Sequence, residues 1–140
     1  MWHFVADTHL DHGNIIKYCK RPFLTATEQG LMEMVDKGII PQNEFRVSHQ
    51  SIKNMTETII DSINATVRHD DTLVIGGDFC WTTRENRVRR TRELRNCINC
   101  HNVYLIWGNH DDRAALSPYF KGCFDQHMFN VNGQNIFMSP

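Results

Sequence analysis

Three times in this chain an apolar, β-prone run ends in residue types that bind metal ions. Residues 2–6 lead to Asp7-Thr8-His9, residues 72–75 lead through Gly76-Gly77 to Asp78, and residues 103–107 lead to Gly108-Asn109-His110-Asp111. Short apolar runs alternating with helical patterns predict an α/β layered fold. Open sheets of that class build their sites at the C-terminal ends of the strands. Asp, His and Asn converging there make a hard-to-borderline donor set suited to divalent cations. A lone Asp or His is as readily a helix cap or a satisfied core residue. Three such segments in order are a far more specific signal.

The stretches between the runs carry ordinary helix punctuation. The spacing predicts a short helix over residues 14–19, closed by Arg21-Pro22 because the residue before proline avoids helical geometry. Residues 25–37 read as a helix, with Thr25 and Glu28 spaced as a capping box and Gly38 as the stop. Residues 41–47 read as a loop. Ser48 or Ser51 opens the clearest helix, in which Ile52, Met55, Ile59, Ile63 and Val67 recur on one face. A basic helix is expected over 84–99 and a short one over 113–116, stopped near Ser117-Pro118. Residues 128–131 and 135–138 flank Asn132-Gly133, the strongest two-residue hairpin signal.

One hundred and forty residues suit one domain over 1–140, and 41% apolar with 22% charged residues is an ordinary globular composition. A net charge of −1 calls for neither nucleic acid nor membrane as a global partner. No apolar stretch reaches transmembrane length, and the N-terminus lacks the basic region of a signal peptide. A cytoplasmic location is therefore expected, with the five cysteines as free thiols. Cys97-Ile98-Asn99-Cys100-His101 spells a haem-attachment pattern. It reads instead as helix-end packing, since nothing directs export and no second zinc-ligand pair accompanies it.

The three ordered motifs, D-x-H, G-D and G-N-H-D, resemble the calcineurin-like metallophosphoesterase superfamily. Residues Asp7 to Ile16 look like the opening of its small phage and bacterial members. The resemblance covers nearly the whole chain. It implies an α/β fold in the form of a metallophosphoesterase-like β-sandwich flanked by helices. The family's two later His-bearing segments are not found before Pro140, so the resemblance also implies a C-terminally incomplete domain lacking its last strands. The 25–47 segment is an insertion relative to the shortest members.

By the same resemblance, Asp7, His9, Asp78 and Asn109 are metal ligands for two divalent ions (Mn, Fe, Zn or Ni), with Asp78 as the bridge. His110 is the catalytic imidazole, and Asp111 or Asp78 orients it. His12 either faces the phosphate or caps the helix that follows. The first ion would keep Asp7, His9 and Asp78; the second would keep Asp78 and Asn109 and lack the family's later histidines. The leading expectation is a metal-dependent phosphoesterase acting on a monoester or diester. One alternative is an inactive or truncated remnant of that fold. Another is a nucleic-acid-binding module using the arginines from Arg84 to Arg95, although a charge run on a helix is more often a solvated face. Self-association through an unfinished sheet edge is also expected.

Overall fold

The structure is a computed structural model that describes residues 1–140. In chain order the elements are β1 (Trp2–Ala6), α1 (Gly13–Tyr18), α2 (Ala26–Asp36), α3 (His49–Thr66), β2 (Thr72–Gly76), α4 (Arg87–Asn96), β3 (Asn102–Ile106), α5 (Arg113–Leu116), a 3-10 turn (Ser117–Tyr119), β4 (Gly122–Phe124), β5 (His127–Val131) and β6 (Gln134–Met138). Two compact units are present: residues 1–10 with 59–140, and residues 11–58.

The larger unit is built on a parallel sheet of order β1-β2-β3-β4. Its register sets Ala6, Gly76 and Ile106 side by side at the C-terminal ends of three strands. Side chains alternate across this sheet and both faces are covered, as parallel sheets require. Leu73, Ile75, Val103 and Leu105 join Ile60, Ile63 and Val67 of the helical segment and Leu94 of α4 in the main core. Val74 and Ile106 point the other way and pack on Phe129, with Trp2, Tyr104, Phe124, Val131 and Met138 around them. The β5–β6 hairpin thus supplies a second layer, giving the two-sheet, helix-flanked α/β arrangement. Its turn has Asn132 at φ 52 and Gly133 at φ 83, the two positive values that a type I′ connection demands.

In the unit of residues 11–58, the capping box forms as its spacing predicts. Thr25 Oγ accepts from the Glu28 N–H, and Glu28 returns to the Thr25 N–H at 2.8 Å. Glu28 also accepts from the Ser48 N–H and the Ser51 hydroxyl, so one buried carboxylate joins the start of α2 to the start of α3. Burial pushes this carboxyl upward. Bonds from Ser51, Ser48 and Thr25 outweigh it and bring the group from an ordinary 4.5 down to about 2. A depressed carboxylate stabilises the fold above its unfolded pKa and loses that contribution as pH falls through the folded value. Denaturation midpoints should therefore drop between pH 4.5 and about 2. In Glu28→Gln the drop over this window should be shallower, and identical pH profiles for both proteins would refute the role given to Glu28.

Two elements differ from the sequence expectation. Helix α4 is shorter than 84–99: Arg95 turns its guanidinium onto the carbonyls of Ile98, Cys100 and His101, satisfying acceptors at the helix end. Strand β4 has no local signal. Its three residues, Gly122-Cys123-Phe124, become a strand only by pairing with Tyr104-Leu105-Ile106. All five cysteines are free thiols.

Candidate metal centre

The three motif loops leave the sheet at adjacent strand ends and are stitched to one another by backbone bonds. The His9 N–H donates to the Asp78 carbonyl at 2.8 Å, the Leu10 N–H to Phe79 at 3.0 Å, and the Trp81 N–H to Leu10 at 2.8 Å. The Thr8 hydroxyl donates to the Phe79 carbonyl at 2.8 Å. Phe79 is fully buried and stands edge-on to Phe120, with centroids 5.2 Å apart. Burying a phenylalanine stabilises by roughly 1.5–3 kcal/mol, so the residue after Asp78 anchors that loop in the core.

This stitching brings together Asp7, His9 and Asp78. One ligand atom from each lies within 4.8 Å of the others. His9 Nε2 is 3.6 Å from Asp78 Oδ2, and both side chains are largely buried. All three residues sit in the left-handed region, at φ 50, 47 and 46. For non-glycine residues that conformation costs on the order of 1–2 kcal/mol each. Such strain persists only where the surroundings fix it; the three residues whose side chains converge carry it, as do Asp11, Lys20 and the hairpin residue Asn132 elsewhere in the chain. Two carboxylates and an imidazole at this spacing suit a divalent cation.

Asp111 has a different surrounding from the one its place beside His110 suggests. Its carboxylate accepts from three backbone N–H groups: Asp78 at 3.0 Å, Phe79 at 2.9 Å and Gly108 at 2.9 Å. It therefore clamps the loop carrying Asp78 to the loop carrying Asn109 and His110. Burial pushes this carboxyl upward, the N–H groups of Gly108 and Phe79 pull it down, and the charge of Asp78 pushes it up again; the net direction is upward. A cation at Asp78 would offset that repulsion. Asp112 caps α5 through the Ala115 N–H at 3.1 Å and pairs with Arg87 at 2.6 Å.

Asn109 and His110 are exposed on the same turn. The His110 N–H donates to Asp78 Oδ1 at 2.9 Å, which seats its backbone beside the ligand cluster. Its ring centroid is 6.3 Å from that of His9 and 5.1 Å from the Trp81 ring, which meets it edge-on. Trp81 thus touches the imidazole for which the sequence motif implies a catalytic role. His12 is buried at the N-cap of α1, and its side chain does not cap the helix. Among the other histidines, His3 bonds to Asp71 at 3.1 Å and His69 stacks on His101.

Gly108 belongs to the site although it carries no ligand. A Cβ there would overlap the Asp78 carboxylate, reaching 2.6 Å from its Cγ. Gly77, at φ 85, faces Gly108 across the same gap, with a would-be Cβ 3.2 Å from its Cα. Two glycines back to back allow the loops to close around Asp78.

Residues 3–138 match the calcineurin-like phosphoesterase family, and the chain belongs to it. Members of this family generally use divalent metal ions, and the Asp7–His9–Asp78 group fits that chemistry. An uncharacterized protein of Methanocaldococcus jannaschii is 30% identical over 109 residues, which make up 78% of this chain and 46% of that protein. A crystal structure of a protein of unknown function from Aquifex aeolicus shares the fold at a TM-score of 0.62 and 22% identity, over 99% of this chain and 59% of that one. The chain thus spans less than two thirds of the length of either relative. No helix is long and apolar enough to cross a membrane.

Proposed function

We propose that these residues serve metal-dependent hydrolysis of a phosphomonoester or phosphodiester. The observation that carries this reading is the convergence of Asp7, His9 and Asp78 at adjacent strand ends. When bound, divalent cations neutralise a phosphoryl group and make a coordinated water a better nucleophile. Asp7, His9 and Asp78 would hold one cation; Asp78 and Asn109 would contribute to a second. His110, exposed and tied by its backbone to Asp78, would give a proton to the leaving oxygen. Asp111 positions both loops through backbone amides.

A site with three side chains for one cation and two for the other should hold the second ion weakly. Turnover of bis-p-nitrophenyl phosphate by the 140-residue chain is therefore expected to be slow and to need millimolar Mn²⁺. Asp78→Asn should abolish it, because a neutral amide bridges two cations poorly. His110→Ala should keep metal affinity while lowering turnover about 100-fold or more, the range for loss of an acid catalyst. Metal-independent turnover, or turnover surviving in Asp78→Asn, would overturn the proposal. Metal binding without turnover would favour the second reading, a fold that holds metal but does not hydrolyse.

A nucleic-acid role for α4 has less support. Arg87 pairs with Asp112, Arg89 and Arg90 pair with Glu93, and Arg95 is spent on backbone carbonyls.

A further inference from the structure

Within residues 11–58 lies a cavity of about 490 Å³ lined by Asn14, Lys17, Tyr18, Gln42, Asn43, Phe45 and Arg46. We propose that it binds the phosphate group of a small molecule, or free phosphate, through residues none of which belongs to the Asp7–His9–Asp78 cluster.

The main observation is Lys17, which is only 6% exposed. A buried ammonium is costly unless its charge and its three N–H groups are satisfied. Lys17 Nζ donates to the Phe45 carbonyl at 2.8 Å and reaches the Gln42 carbonyl at 3.5 Å, the outer limit of a hydrogen bond. The rings of Tyr18 and Phe45 lie 5.8 and 5.7 Å from it. These contacts tie α1 to the loop over 41–47; no carboxylate forms an ion pair with Lys17, whose side chain also borders a second concavity with Glu33 and Asp36 on its wall. No carboxylate lines the cavity, and Glu44 of the same loop is not among the lining residues.

The second cation on the wall, Arg46, is exposed. A guanidinium is the side chain best matched to phosphate oxygens. Asn14, Gln42 and Asn43 add amide donors. Two cations, three amides and no acid around one concavity describe an oxyanion site rather than a cation site. The volume exceeds that of a bare phosphate and falls within the range of small-molecule pockets, so the phosphate of a larger metabolite would fit as well as the free ion. The inference does not depend on the proposed hydrolytic function, because the metal cluster contributes none of these residues.

The test is an NMR titration of the ¹⁵N-labelled chain in EDTA, so that no cation holds phosphate at Asp78. The probes are inorganic phosphate and AMP, at low salt. Shifts are expected at the amides of residues 14–18 and 42–46. Arg46→Gln should weaken them roughly tenfold, as for loss of one charge-assisted contact. Arg46 is exposed and its replacement should not disturb folding. Lys17→Met should remove the shifts altogether, provided its melting curve shows a folded protein. AMP binding tighter than phosphate would assign an organic phosphate, and equal affinities would assign the free ion. Absence of shifts in these segments, or shifts unchanged in Arg46→Gln, would overturn the proposal.

Discussion

Gly108→Ala is expected to destabilise the protein by about 3 kcal/mol, the upper range for forcing an extra methyl into packed surroundings, and to lower metal affinity at least about tenfold. The added Cβ would occupy the position of the Asp78 carboxylate and its N–H, so one of the two loops must move. Neither can yield cheaply. Asp78 is held from behind by buried Phe79, and the Gly108 N–H is held by Asp111. The control is Gly30→Ala on α2, where a Cβ meets nothing within 4 Å. There alanine should stabilise by about 0.5–1 kcal/mol, through helix propensity. Paired thermal melts and metal titrations separate the two. A Gly108→Ala protein with wild-type melting and wild-type metal affinity would mean that the loops are not locked together as described.

The second large effect is expected at Asp111. Asp111→Asn replaces two acceptor oxygens by one oxygen and a donor, facing three backbone N–H groups. With the amide oxygen in the Oδ2 position the Phe79 N–H loses its acceptor and meets the new NH2 head-on; with the oxygen in the Oδ1 position the Asp78 and Gly108 N–H groups do. Leaving buried donors unsatisfied costs about 1–3 kcal/mol each, so a loss of roughly 3 kcal/mol is expected. Metal affinity should fall with it, since Asp78 would no longer be held at its left-handed backbone position. Denaturant titrations with and without Mn²⁺ measure both quantities. If Asp111 acted only by orienting the His110 ring, Asp111→Asn would lower turnover and leave stability within about 0.5 kcal/mol of the parent.

The strands that carry the site were legible because each is a short apolar run with a chemically distinct ending. The hairpin was legible from Asn132-Gly133 alone, since few other dipeptides accept two positive φ values. The capping box at Thr25 and Glu28 was readable as spacing; the further bonds from Ser48 and Ser51 were not, because they come from residues 20 and 23 positions away. The same limit applies at the metal centre. Asp7, His9 and Asp78 could be named from residue type and motif order. The function of Thr8, an unspecified position inside its motif, depends on a carbonyl 71 residues away. Asp111 sits beside His110 in sequence, which suggested an orienting role for its carboxylate. The acceptor it provides is used by amides of a loop more than 30 residues upstream. Sequence spacing reports which side chains are present on a loop; which backbone groups face them is set by tertiary pairing. Strand β4 illustrates this at the level of the fold, being a strand only through its neighbour.

In the proposed function Asp7, His9 and Asp78 together hold a divalent cation. Anomalous diffraction from crystals grown with millimolar Mn²⁺ tests it most directly. A strong anomalous peak is expected within about 2.0–2.3 Å of a carboxylate oxygen of Asp7, an imidazole nitrogen of His9 and a carboxylate oxygen of Asp78, absent in crystals of Asp78→Asn. A well-ordered site with no peak among these three residues, or a peak that persists unchanged in Asp78→Asn, would contradict it.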